Sequence, residues 1–304
     1  MSGDPATEIS ALAGDVETLA QRLGAVDYLV DEALATSMFL SLRLPQPLLL
    51  EGEPGVGKTE AAKALASVLD TPLIRLQCYE GIDVAEALYE WNYPRQLLSI
   101  RLAEEREGAG ELSEQELFGR EYLISRPLLR ALEHPGPRPA VLLIDEIDRA
   151  DDEFEAFLLE LLAEASVTIP ELGTIRATHP PVIVLTSNRT RDLHDAVKRR
   201  CLYHWIPYPS REREVEIVRR RVRGSSETLA VAVATAVARM RESDIQKPPG
   251  IAEAIDWLAA LSLLGIERLD GAAAERTLGS VLKYSEDQEV VRALGLEQFV
   301  GAGD

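Results

Sequence analysis

Pro47-Leu48-Leu49-Leu50-Glu51-Gly52-Glu53-Pro54-Gly55-Val56-Gly57-Lys58-Thr59-Glu60 is the stretch on which the reading of this chain turns. Its second half matches G-x-x-x-x-G-K-S/T, the spacing of a phosphate-binding loop. An apolar run leads in. A helix-forming run, Glu60-Ala61-Ala62-Lys63-Ala64-Leu65-Ala66, leads out. Strand, glycine loop, helix is the order the chemistry needs. Gly52, Gly55 and Gly57 let the backbone wrap closely around phosphate oxygens. The helix start aims its free N–H groups and its dipole at them. In such a loop Glu53, Pro54, Val56 and Glu60 complete the cradle. Lys58 reaches the β- and γ-phosphates, and the Thr59 hydroxyl holds Mg2+. A surface turn that matches by accident lacks the flanking strand and helix.

A second signal lies downstream. Ala140-Val141-Leu142-Leu143-Ile144-Asp145-Glu146 is an apolar strand ending in two acids. A buried parallel strand delivers Asp145 to its C-terminal edge, where ligands sit in such sheets. There Asp145 serves Mg2+ opposite Thr59, and Glu146 polarises an attacking water as general base. The bland alternative is an acidic helix start, which the helix dipole also favours. Val182-Ile183-Val184-Leu185-Thr186-Ser187-Asn188 is another apolar strand with a polar end. Asn188 either contacts the γ-phosphate and the attacking water or only starts a turn. Asp195-Ala196-Val197-Lys198-Arg199-Arg200-Cys201 ends a helix in basic residues. These either complement the dipole or supply an arginine that stabilises charge on a transferring phosphoryl group.

From residue 47 the pattern alternates strand and helix, which argues for a parallel sheet covered on both faces. The spacing predicts strands near 47–51, 73–77, 140–144, 182–186 and 203–206. It predicts helices near 58–69, 83–90, 126–133, 152–164 and 192–198. Residues 1–45 read as an N-terminal helical segment, with apolar spacing at Ile9, Leu12, Val16, Leu19 and Leu23 and a second helical pattern from Val26 to Leu44. Residues 46–209 read as the nucleotide-binding α/β core. Within it 92–119, with Gly108-Ala109-Gly110, reads as an irregular insertion. Pro207-Tyr208-Pro209 breaks the alternation, and 210–304 reads as all helix, with helices at 210–223, 227–242, 251–264 and 271–283.

The bulk numbers bound the function. The chain has 304 residues, 46% hydrophobic and 27% charged, which is ordinary globular composition. No apolar run approaches the ~20 residues that span a bilayer. Met1-Ser2-Gly3-Asp4 carries no basic, apolar leader pattern, and two scattered cysteines suit a reducing cytoplasm. A net charge of −19 argues against nucleic acid as a partner. The basic run Arg219-Arg220-Arg221-Val222-Arg223 follows Glu212, Glu214 and Glu216 and reads as a self-paired helix face. The four histidines stand far apart with no metal-ligand spacing.

Taken in order, the loop, the Asp-Glu strand, the Asn-ended strand, Arg-Arg-Cys and the helical end resemble the AAA+ ATPases over nearly the whole chain. Within them, Asp145-Glu146-Ile147-Asp148-Arg149-Ala150 and the 47–60 stretch resemble the MoxR group. Gln77-Cys78-Tyr79-Glu80-Gly81-Ile82-Asp83, Leu88-Tyr89-Glu90-Trp91-Asn92-Tyr93 and Gln96-Leu97-Leu98 are similar to a subgroup linked to carbon monoxide dehydrogenase maturation.

The resemblance implies a five-stranded parallel αβα core with a C-terminal helical lid. It implies ATP and Mg2+ bound between neighbours of a ring, often a hexamer. Asn188 is then sensor 1. Arg200, immediately before Cys201, matches the arginine finger, with Arg199 beside it. Tyr28 lies near the adenine, and Ile169–Ile175 forms a β-hairpin. The implied activity is ATP hydrolysis driving a chaperone-like remodeller, with a von Willebrand factor A domain partner and a metalloenzyme client of the molybdenum hydroxylase type. A nucleic-acid motor or loader and a weakly hydrolysing ATP-binding scaffold are the alternatives. A P-loop small-molecule kinase fits the motif set poorly. One departure stands out. The stretch where many MoxR proteins carry a sensor-2 arginine reads Lys247-Pro248-Pro249-Gly250-Ile251, with only Lys247 to substitute.

Overall fold

The computed structural model describes residues 13–104 and 114–300. Ile9, Leu12 and Gly108-Ala109-Gly110 lie outside the described residues. In chain order the elements are α1 (Val16–Ala25), α2 (Glu32–Arg43), β1 (Leu48–Gly52), α3 (Lys58–Leu69), β2 (Leu73–Gln77), α4 (Val84–Ala87), β3 (Tyr89–Trp91), α5 (Tyr93–Glu104) and α6 (Glu114–Leu117). Then come β4 (Leu123–Ser125), α7 (Pro127–Leu132), β5 (Val141–Asp145), α8 (Asp152–Glu164), β6 (Ser166–Ile169), β7 (Gly173–Arg176), β8 (Val182–Ser187), α9 (Asp195–Lys198) and β9 (Leu202–Ile206). Six helices close the described chain: α10 (Arg211–Arg221), α11 (Glu227–Arg241), α12 (Ile251–Leu263), α13 (Gly271–Val281), α14 (Ser285–Leu294) and α15 (Glu297–Val300).

Five strands form one parallel sheet in the order β2-β5-β8-β1-β9. The burial of each strand follows from its place. β1 and β5 are buried at every residue, as interior parallel strands covered on both faces are. β2 and β9 stand at the edges, and their burial alternates residue by residue. The register sets Gln77 beside Asp145 and Ser187 beside Glu51. The polar strand ends therefore share one edge of the sheet. Leu142, Ile144, Leu158, Leu161, Leu129 and Leu185 fill the core on this sheet.

Helix starts follow their capping residues. The side chains of Asp31, Asp151, Ser210, Ser226 and Asp270 each accept an N–H from the first turn of α2, α8, α10, α11 and α13. A second core joins the closing helices through Val233, Val237, Trp257, Leu258 and Leu278, all essentially without solvent exposure.

The chain divides into two compact units. The first gathers the chain up to Arg22, Val30–Glu51 and Ala62–His204. The second gathers Leu23–Leu29, Gly52–Ala61 and the chain from Trp205 onward. α1, β1, α3 and β9 are each divided between the two.

Three local expectations change. The helix expected at 83–90 stops at Ala87. Tyr89 and Trp91 instead pair antiparallel with Ser125 and Leu123, since alternating aromatic residues favour a pleated strand. The stretch read as irregular contains the 12-residue α5, whose Arg95 N–H is capped by Asn92 Oδ1 at 3.1 Å. Beyond 283, where no helix was expected, Ser285-Glu286-Asp287 opens α14. The hairpin forms as β6 and β7, with Pro170-Glu171-Leu172 as its turn.

Candidate functional site

The glycine loop runs from the end of β1 to the start of α3 and lies in the second unit. Its lysine is buried. Lys58 Nζ donates to the carbonyls of Gly52 at 2.7 Å and Glu53 at 2.8 Å. The four-carbon stem is thereby covered while the ammonium is pinned to the loop. Gly52 is required by crowding, because a Cβ there would collide with the Ile206 carbonyl oxygen. The Tyr28 hydroxyl donates to the Gly57 carbonyl at 3.5 Å, so this residue does sit against the loop. Glu60 pairs with Arg221 at 3.2 Å. Val56 is buried. The loop also touches α12: Ile251 N–H donates to the Gly55 carbonyl at 3.1 Å and Ala252 N–H at 3.4 Å.

The acidic group lies in the first unit, at the C-terminal ends of β5 and β8. Asp145 has 3% of its side chain exposed. Its Oδ1 accepts the Thr186 hydroxyl at 2.5 Å, and its Oδ2 accepts Arg75 Nε at 2.9 Å, with Arg75 NH2 at 2.6 Å. Glu146 takes the left-handed conformation, φ 55° and ψ 50°. A non-glycine residue there is held by its surroundings. Its N–H donates to Thr186 Oγ1 at 2.9 Å. Its Oε2 accepts Gln77 Nε2 at 3.0 Å and Arg149 NH1 at 3.2 Å. The turn thus swings the carboxylate out of the strand while Gln77 and Arg149 fix its direction.

Asn188 follows β8 on a turn built by one buried acid. Asp148 Oδ2 accepts the N–H of Asn188 at 3.2 Å, the N–H of Thr190 at 2.9 Å and the Thr190 hydroxyl at 2.7 Å. Arg199 and Arg200 are exposed beyond α9. Arg199 lies 3.7 Å from Asp195, and Arg200 NH1 donates to the Ala196 carbonyl at 2.9 Å.

Within each unit, then, the expected residues gather: Tyr28 and the loop in the second, Asp145, Glu146 and the Asn188 turn in the first. Arg75, Thr186 and Asp148 were not singled out for roles by the motifs. Arg75 had a readable signal, since period-two spacing puts it on the same face of β2 as Gln77, directly across from Asp145.

The donor chemistry fits a nucleotide and a hard cation. In the second unit a buried ammonium and a glycine backbone suit phosphate, and in the first a buried carboxylate suits a hard cation. Arg75 is a built-in competitor for the Asp145 carboxylate. Both thiols are suppressed. Burial, then Asp145, Asp148 and Glu146, push Cys78 up to about 12. Burial pushes Cys201 up to about 12 against the opposing pull of Arg200. Among the described residues no helix is long and apolar enough to cross a membrane.

No curated protein matches the chain. Among solved structures, two point mutants of RuvB from Thermotoga maritima align over 87% and 88% of this chain and 69% and 68% of theirs. Identity is 16% and 18%, and the TM-scores are 0.47 and 0.45. The model of the AAA domain, dynein-related subfamily, matches residues 47–201, from the residue before β1 to Cys201. AAA domains are in general nucleotide-hydrolysing and commonly assemble into rings. By that match, which spans just over half of its length and both acidic and glycine motifs, this chain belongs to the AAA domain family, dynein-related subfamily.

Proposed function

We propose that this chain is a Mg2+-dependent ATP hydrolase of the MoxR type, a chaperone-like remodeller in metalloenzyme maturation or complex assembly that works as a ring. The observation that carries the hydrolytic reading is Glu146. It follows a buried aspartate, is turned out of its strand by a positive φ, and is held on one oxygen by Gln77 and Arg149. With one oxygen held and a third of the side chain still exposed, the arrangement supports a base offered to water.

The roles divide as follows. Gly52, Glu53, Pro54, Gly55, Val56, Gly57 and Glu60 form the cradle, Lys58 neutralises the β- and γ-phosphates, and Tyr28 flanks the base. Thr59 and Asp145 hold Mg2+, which when bound neutralises charge on the phosphate oxygens. Glu146 takes the proton of the attacking water. Asn188 orients that water and the γ-phosphate. Arg200, with Arg199 as its neighbour, reaches a site on the adjoining subunit. The exposure of both arginines supports action on another protomer.

The finer reading rests on the MoxR-like motifs: a von Willebrand factor A domain partner and a client such as a molybdenum hydroxylase. Nucleic acid is disfavoured by the net charge of −19, and the β6–β7 hairpin carries Glu171 while its Arg176 is paired with Glu164 at 2.8 Å.

The test is Mg2+-ATP hydrolysis per protomer across a dilution series, with Glu146→Gln as the blank. Specific activity rising with concentration, and a silent variant, is the expected result. Wild type no faster than the blank at any concentration sinks the hydrolase and leaves a nucleotide-gated scaffold. Turnover stimulated by DNA in a salt-sensitive way sinks the remodeller in favour of a motor.

A further inference from the structure

The second unit holds the phosphate loop and the closing helices together, and the join between them is made by backbone. A helix start leaves its first N–H groups without partners inside the helix. At α12 three of them have partners. Gly250 N–H is taken by Glu253 Oε2 at 2.8 Å. Ile251 and Ala252 give theirs to the Gly55 carbonyl. The approach is close enough to demand glycine on both sides. A Cβ on Gly250 would lie 2.7 Å from the Pro54 carbonyl oxygen and 2.8 Å from Gly55 Cα. One on Gly55, at φ +77°, would lie 3.1 Å from Gly250 Cα.

The segment leading into α12 is fastened at two points. Asp287, fully buried, accepts the N–H of Gln246 at 2.7 Å and of Lys247 at 3.1 Å. Arg241 donates from Nε to the Pro249 carbonyl at 2.6 Å. Its other two nitrogens grip both oxygens of buried Glu214 at 2.7 and 2.8 Å, and its guanidinium lies 4.3 Å from the Tyr208 ring centre. The Lys247 side chain itself is exposed.

A peptide unit is planar and trans, so its C=O and the next N–H point in opposite directions. Turning the Gly55 carbonyl onto α12 therefore turns the Val56 N–H away from α12. We propose that the start of α12 sets the Gly55–Val56 peptide, and with it the Val56 N–H offered to phosphate. Arg241, bonded to the Pro249 carbonyl and to Glu214, is the positioning residue that holds this start in place. This rests on the reading of 52–59 as the phosphate cradle.

The experiment is a fluorescent-ADP titration with Mg2+ on the full chain, comparing wild type with Gly250→Ala, Ile251→Pro and Lys247→Ala. Gly250→Ala inserts the colliding Cβ. Ile251→Pro deletes one donor at a first-turn position where a helix accepts proline. Both are expected to weaken ADP roughly tenfold, as the loss of a hydrogen bond to a positioned loop should. Loss with Lys247→Ala and none with Gly250→Ala overturns the inference in favour of a lysine side chain. Equal binding by all four overturns it outright. Wild type that binds no nucleotide overturns the cradle reading as well, so the two failures are distinct. A readout that needs no variant to fold is hydrogen exchange in wild type. Amides 250–252 are expected to slow when ADP and Mg2+ are added, and a response confined to 52–60 counts against the coupling.

Discussion

Two of the partners of Asp145 pull in different directions. Thr186 holds one oxygen from within the sheet, and Arg75 holds the other from the edge strand. Arg75 has half of its side chain exposed, so its pairing is only partly protected from water and salt. A cation that needs the same carboxylate must compete with it. Arg75→Met is therefore expected to lower the Mg2+ concentration for half-maximal hydrolysis by roughly three- to tenfold, since an exposed arm of a charge pair is worth on the order of 1 kcal/mol. A Mg2+ titration of turnover checks this, and an unchanged midpoint means the pair does not compete. Asp148 acts on the neighbouring turn. It is 2% exposed and its Oδ2 takes three donors. Asp148→Ala leaves those donors unpaired in a partly buried place and frees the Asn188 backbone. The expected cost is about 2–3 kcal/mol of stability, with kcat falling further than KM changes. A melting curve and a full rate profile separate the two effects. A variant that melts lower but turns over normally rules out the positioning role of Asp148.

At the scale of elements, the same physics that positions these residues decides which parts of the fold were legible. β1, β5 and β8 could be read directly, because interior parallel strands are continuous apolar runs with polar ends. Their ends also marked Asp145, Glu146 and Asn188. α5 was hidden because Pro94 and Arg95 open it and Tyr93, Leu97 and Leu98 are exposed, so no apolar face announces it. Arg75 was legible only through its period-two spacing with Gln77, not through a motif. Edge strands alternate, and an outward residue in such a strand carries no motif. The contact of α12 with the loop was illegible in principle: it is made by backbone groups and by the absence of a Cβ at Gly250. The helical region also holds a buried side-chain bond between two of its helices. Trp257 is fully buried on α12, and its Nε1 donates to Thr277 Oγ1 on α13 at 2.7 Å. Trp257→Phe deletes that donor and leaves a small void. The expected destabilisation is about 2–3 kcal/mol, combining a lost buried hydrogen bond with lost packing. Thermal unfolding followed by circular dichroism checks it, and a shift under a degree would mean that the Thr277 bond is not maintained in solution.

At the scale of the whole molecule, the role proposed for the exposed arginines beyond α9 needs another subunit nearby. Arg199 has 81% of its side chain exposed, and its acidic neighbour Asp195 is as open to solvent, so the pair gains little from that contact. Arg200 keeps one bond within its own protomer, NH1 to the Ala196 carbonyl at 2.9 Å. Aimed at a neighbour's transferring phosphoryl group, it stabilises charge that develops only in the transition state. If the proposed ring forms, every interface of its identical subunits is the same, and each site would combine Glu146 from one protomer with an arginine from the next. Two inactive variants then complement each other. An Arg200→Ala protomer keeps its own base and lacks a finger to lend. A Glu146→Gln protomer lends the finger and cannot use its own site. Mixed in equal amounts and allowed to exchange, random neighbours make the productive ordered pair at about one interface in four. The expected activity of the mixture is accordingly about a quarter of wild type, from two components that are each silent. Silence in the mixture, with exchange verified by a labelled subunit, means that Arg200 acts within its own protomer. Full activity of Arg200→Ala alone moves the role to Arg199, whose alanine variant then takes its place in the same mixing assay.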